Sequence, residues 1–141
     1  KEFGPVPLLG DKVYSVDTPL DEMMMPRNTL DECWDYIIAE LKAALDGGKL
    51  KSTFGEDGSV DSQYKGNLTQ EAVEGILAEV YLYRASYLFN GDPYYQTMAN
   101  KDGTKLFPQS KDMQKWKDAR DAAKRIIDSG KFKLVLRDQS G

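Results

Sequence analysis

Histidine is absent from the 141 residues. Without an imidazole, Ser-His-Asp and Cys-His nucleophile pairs are excluded within this chain, as is every zinc site that needs a ring nitrogen. Cysteine occurs once, at Cys33, so no internal disulfide forms and the redox compartment is left open. Cys33 falls on the apolar side of a predicted helix and reads as a small buried hydrophobe. No apolar run approaches the ~20 residues needed to span a bilayer, and no secretory apolar region opens the chain. Basic excess is also missing: 19 Lys and Arg face 23 Asp and Glu, interspersed, for a net charge of −4. Such a chain offers no basic stripe to a phosphate backbone, and no nucleic-acid partner is expected.

What is present suits one hydrophobic core. The chain starts at Lys1 without Met and ends in "LRDQSG", so residues 1–141 are expected to be a single fragment of a larger domain. Residues 1–28 read as loop, punctuated by Pro5, Pro7, Pro19 and Pro26. The methionines of "DEMMMP" are expected to pack onto helices rather than to form a metal or cofactor box.

Three helices are predicted, over about 29–46, 69–89 and 111–129. In the first, Thr29 and Glu32 make a capping box, and Leu30, Cys33, Trp34, Ile37, Ile38, Leu41 and Leu45 recur at the period of one face. Gly47 and Gly48 supply its stop. Its carboxylates Asp31, Glu32, Asp35 and Glu40 fit a cap and a solvated face better than an acid/base pair. The second helix starts at the N-cap Thr69, and its apolar residues wrap most of the circumference, which predicts burial between neighbours. The third follows Ser110 as N-cap, with Trp116, Ala119, Ala122, Ala123, Ile126 and Ile127 as its inner face and Gly130 as its stop. "KFKLVL" alternates Phe132, Leu134 and Leu136 and predicts one short strand or extended segment.

The connection 49–67 carries Glu56, Asp57 and Asp61, but not at the spacing of a calcium loop, and reads as solvated. Helix starts about 40 residues apart lie in the range of helical-repeat arrays. The expected fold is therefore all-α: stacked tetratricopeptide-like helices with long loops. "YRASYLFNGDPYYQ" then raises the one local site question. Asn90, Tyr94 and Tyr95 follow an apolar helix end and could form a ligand platform, an aromatic face for a sugar ring with an amide for its hydroxyls. The simpler reading is that they close the core.

Four stretches, in order, resemble the SusD/RagB family of outer-membrane nutrient-binding lipoproteins. They are "FGPVPLL" (Phe3–Leu9), "PRNTLDECWDYIIAEL" (Pro26–Leu41), "GNLTQEAVEGILAEVYLYRASYLFNG" (Gly66–Gly91), and "NKDGTKLFPQ" with "WKDARDAAKRIIDSGKFKL" (Asn100–Gln109, Trp116–Leu134). The pattern departs at Asn67, where Arg is usual, at Gln70-Glu71 for Lys-Gly, at Glu79 for Arg and at Tyr87 for Pro. The resemblance implies a non-enzymatic binding protein without cofactor or metal, lipid-anchored through a segment outside this fragment on the outer face of a Bacteroidota outer membrane. It would present an oligosaccharide, or a peptide, to a SusC-type TonB-dependent transporter. Two other readings stay open: a protein–protein scaffold without ligand contact, and a helical carbohydrate-active enzyme, which would need two carboxylates facing across a cleft.

Overall fold

The computed structural model describes residues 4–55, 57–64 and 66–134. The architecture is all-α. Its helices are a short α1 (Leu20–Met23), α2 (Leu30–Asp46), α3 (Gln70–Ala85) and α4 (Met113–Asp128), with 3₁₀ turns at Ser62–Tyr64 and Tyr87–Phe89. Among the described residues there is no strand, only single antiparallel bridges between Phe54 and Val60 and between Ala99 and Lys105 that pinch two loops closed. Lys131–Leu134, expected to be extended or a strand, forms no strand, although Lys131 bonds Glu71 and Phe132 meets Phe54 edge to face at 5.4 Å; Leu136 lies outside the described residues.

Each long helix begins where its sequence can satisfy free N–H groups. Thr29 closes the predicted capping box on α2: its hydroxyl accepts from the Glu32 N–H (3.2 Å), and the Glu32 carboxylate accepts from the Thr29 N–H (2.7 Å). That backbone hydrogen bond holds the Glu32 carboxyl below its ordinary pKa. Thr69 caps α3 through the Ala72 N–H. The cap of α4 is Asp112, not Ser110, because the Asp112 carboxylate accepts from the Gln114 N–H at 2.7 Å.

α3 lies against both α2 and α4. Val73, Leu77, Tyr81 and Ala85 repeat every fourth residue and are buried, and the last three meet Ile38 of α2 and Ala119 and Ala122 of α4. The alanines of α4 let its backbone come close to α3. A second apolar cluster, around the C-terminal end of α3, joins Leu30, Trp34, Phe89, Leu106 and Phe107. Trp34 and Phe89 meet edge to face at 5.5 Å.

Three expectations are corrected. α3 ends at Ala85 rather than Phe89, since Ser86 turns extended (ψ 157) and its hydroxyl donates to the Tyr83 carbonyl, so 87–89 form a separate turn. α3 is not buried all round: Ile76 and Leu82 are exposed, because the described neighbours cover one side only. Two of the three methionines do not pack inward either: Met23 and Met24 are exposed, while Met25 is half-buried and accepts from the Tyr14 hydroxyl at 3.0 Å.

Candidate functional site

The loop between α3 and α4 carries all three candidate residues. Asn90 is 2% exposed and faces inward. Its Nδ2 donates to the Asp112 carbonyl (2.8 Å) and more weakly to the Ala85 carbonyl (3.4 Å), while its Oδ1 accepts from the Asp112 N–H (2.8 Å). The amide thus copies a backbone pairing and clamps the end of α3 to the cap residue of α4. Gly91 completes the junction with φ +82; a Cβ there would lie 2.6 Å from the Lys111 nitrogen and the Ser110 carbonyl carbon. Only glycine fits both the left-handed conformation and the close approach.

The two tyrosines diverge. Tyr95 stacks on Phe107 with centroids 5.0 Å apart and planes 21° from parallel, which makes it part of the second apolar cluster. Tyr94 meets the Tyr95 ring edge to face at 5.0 Å but is 80% exposed. Of the three, Asn90 and Tyr95 are engaged in holding the loop, and Tyr94 alone presents a free aromatic face to solvent.

A cleft of about 420 Å³ opens between Met24–Arg27 and Asn100–Asp102. Its walls are tied together, since Asn100 Nδ2 donates to the Arg27 carbonyl at 2.8 Å. A guanidinium (Arg27), an ammonium (Lys101) and a carboxylate (Asp102) stand beside the Met24-Met25-Pro26 wall. This combination can bond hydroxyls while covering an apolar surface. The sequence pointed to none of it, because the two loops lie more than seventy positions apart.

Buried charge appears at two further places. At the junction of α2, α3 and α4, the Lys115 ammonium pairs with Asp31, and Arg84 Nη2 reaches Asp35 Oδ1 at 2.8 Å. Asp31 and Asp35 are therefore cross-helix partners as well as first-turn acids. At the other end of α3, the buried Glu71 carboxylate accepts from the Ser52 hydroxyl, the Thr53 N–H (2.8 Å) and the Lys131 ammonium (2.7 Å). Burial pushes its pKa up, but Lys131 and the two other donors outweigh that and hold it at about 2. Glu71 and Gln70 are two of the positions that depart from the family pattern. Gln70 is also used locally, its Nε2 donating to the Leu50 carbonyl at 2.9 Å. Among the described residues, no group of three or more Cys, Asp or Glu is arranged to hold a metal ion.

No protein-family model and no curated protein matches the chain. Among solved structures, the fold is similar to that of BT4246 from Bacteroides thetaiotaomicron, with TM-score 0.71 and 27% identity over 93% of this chain. The selenomethionine form of BT4246 gives TM-score 0.64 and 24% identity over 89% of this chain. The chain spans only 22% and 19% of the length of those two structures.

Proposed function

We propose that these residues form the helical scaffold of a SusD/RagB-like lipoprotein that binds a nutrient glycan at the outer-membrane surface and hands it to a SusC-type TonB-dependent transporter. The observation that carries this reading is the run of four ordered sequence matches, which extends over nearly the whole chain. The all-α framework and the likeness to a Bacteroidota chain over 93% of these residues support it. Of the positions that depart from the family pattern, Gln70 bonds the Leu50 carbonyl, Glu71 bonds Ser52, Thr53 and Lys131, and Tyr87 opens an exposed turn, so the framework accommodates these three.

In this reading the protein performs no chemistry. It holds an oligosaccharide by stacking and hydroxyl hydrogen bonds, and Tyr94 is the residue of this portion best disposed to contribute a ring face. A peptide cargo would use the same scaffold. A second reading, contact with a partner chain only, is favoured by the exposed apolar side chains Ile76, Leu82 and Tyr87 on and just after α3.

The test uses the intact protein. Affinity electrophoresis on a panel of polysaccharides should show retention without release of sugar, and pull-down from outer membranes should recover a TonB-dependent transporter. Retention of no glycan and no peptide, together with failure to recover a transporter, would sink the proposal. Release of reducing ends would move it to the enzyme reading.

A further inference from the structure

Three loop segments meet before α2, and their backbones are tied to one another. Asn100 Nδ2 donates to the Arg27 carbonyl at 2.8 Å, the Asn28 N–H to the Val6 carbonyl at 3.1 Å, and the Leu8 N–H to Asn28 Oδ1 at 2.9 Å. The turn at 100–104 is closed on itself, since the Asn100 N–H donates to the Thr104 carbonyl and the Gly103 N–H to the Asn100 carbonyl, both at 3.0 Å. On this frame the cleft of about 420 Å³ adjoins a second groove of about 340 Å³, which shares Met25, Pro26, Arg27, Asn100 and Asp102 with it. Both volumes fall in the range of ligand clefts, roughly 300–1,000 Å³.

The charged groups lining the two grooves are unevenly committed. Glu32 accepts from the Thr29 N–H and the Asn28 amide, and Asp102 accepts from the Thr104 N–H at 2.9 Å, so each carboxylate already serves its own turn. Arg27 and Lys101 are exposed, and among the described residues neither side chain has a hydrogen bond or an ion pair, even with Asp102 in the same cleft. Two uncommitted cations thus line one cleft of a chain whose net charge is −4. No aromatic ring lines either groove, so a neutral sugar finds no stacking face there, and the apolar wall is Met24, Met25 and Pro26. A dense polyanion would meet Asp102 and Glu32 with like charge. What fits both signs is a ligand whose single acid group is surrounded by hydroxyls.

We infer that this cleft is a subsite for an acidic sugar residue, one that carries a single carboxylate or sulfate ester among its hydroxyls. This rests on the reading above that the protein binds a glycan, and adds to it the class of glycan and the residues that select it. The Arg27 guanidinium offers parallel N–H donors to two oxygens of the acid group, and Lys101 adds a point charge. Asp102 spends one oxygen on Thr104 and keeps the other to accept from a sugar hydroxyl. Tyr94 lines neither groove, so ring stacking and acid recognition are separable contributions.

Affinity electrophoresis of the intact protein tests this on uronate polymers (pectate, alginate) and sulfated ones (carrageenan, chondroitin sulfate), beside neutral glucans. Each acidic polymer is run against its carboxyl-reduced or desulfated counterpart. At least one acidic polymer should be retained several-fold more strongly than its neutralised counterpart, and the group whose removal matters tells carboxylate from sulfate. Arg27→Gln should weaken that retention by about tenfold, the loss of one charge-assisted contact. Lys101→Gln should weaken it less, and Arg27→Lys should keep part of it. Lys105→Gln removes the same charge from an exposed position outside both grooves and should leave retention unchanged. All four variants should melt as the wild type does, because these side chains are exposed. Retention of neutral polymers alone, or full retention of the acidic polymer by Arg27→Gln, overturns the subsite and leaves glycan binding standing. Equal losses in Arg27→Gln and Lys105→Gln also overturn it, by assigning the effect to overall charge. Retention of no polymer of any kind counts against the glycan reading itself, and the subsite falls with it.

Discussion

The two ends of α3 are fastened by different physics. At the N-terminal end, a buried carboxylate gathers three donors from two separate segments: Ser52 and Thr53 from the preceding loop and Lys131 from the chain leaving α4. The threonine hydroxyls of Thr53 and Thr69 bond each other at 2.8 Å beside it. At the C-terminal end the fastening is mainly apolar, with Leu106 fully buried among Leu30, Trp34, Phe89 and Phe107, joined by the amide clamp from Asn90 to Asp112 and the ion pairs of Arg84 with Asp35 and Lys115 with Asp31. Packing is non-directional and indifferent to pH, whereas the carboxylate latch works only while ionised. The candidate residues Asn90, Tyr94 and Tyr95 all sit on the packed end. A ligand-facing side chain there stands on a frame held chiefly by packing.

The largest effect should come from breaking the packed end. Leu106→Ala leaves a cavity where no solvent reaches and is expected to lower unfolding stability by about 4 kcal/mol, read by urea denaturation. If the loss were under about 1 kcal/mol, the cluster would have collapsed around the gap and the contrast between the ends would fail.

Titrating the polar end comes next. Glu71 has a folded pKa of about 2, depressed from its ordinary 4.5. A depressed carboxylate contributes stability that is fully present above the unfolded value and is lost as pH falls through the folded one. The latch should therefore contribute about 3 kcal/mol at neutral pH, fading from pH 4.5 down to about 2. Glu71→Gln should flatten this part of the stability–pH curve while leaving the effect of Leu106→Ala intact. A curve unchanged by Glu71→Gln would mean that other carboxylates carry the acid sensitivity.

Asn90→Ala sharpens the comparison within the packed end, because it removes a polar fastening from an apolar setting. It leaves the Asp112 N–H and carbonyl without their partner, at an expected cost of about 2 kcal/mol. Asn90→Asp keeps the acceptor and loses the donor, so it should fall between wild type and Asn90→Ala. Equal stability of all three proteins would show that water replaces the amide.

Local signals explain which parts of this arrangement could be read from residues alone. The capping box at Thr29 and Glu32, the Thr69 cap and the glycine stop after α2 depend on neighbours within a few positions, and they appear where the sequence put them. What escaped was set by distant partners. Asp31 meets Lys115 across 84 positions and Glu71 meets Lys131 across 60, and no spacing rule links such pairs. The cap of α4 moved from Ser110 to Asp112 because Asn90 holds Asp112 extended from across the loop. Trp116 and Ile127 look like core by composition, yet burial depends on which neighbours are present. In the candidate site, the sequence marked three residues, and only geometry separated Asn90 and Tyr95, which hold the loop, from Tyr94, which faces out.

That separation gives the smallest stability effect and the most direct reading of function. Tyr94 is mostly solvated and touches chiefly the Tyr95 ring, so Tyr94→Ala should change unfolding stability by less than about 0.5 kcal/mol. If its free face stacks on a sugar, the same substitution should weaken glycan retention by the intact protein by about tenfold, in line with the energy of an aromatic stack. Tyr94→Phe should restore retention, because the ring face and not the hydroxyl makes that contact. A variant with unchanged stability and unchanged retention would remove Tyr94 from the binding surface. The packed end of α3 would then be scaffold alone, and the glycan contacts would lie in the cleft beside Arg27 or outside these residues. A variant that lost stability as well would show instead that Tyr94 supports Tyr95 and Phe107, extending the apolar fastening by one more ring.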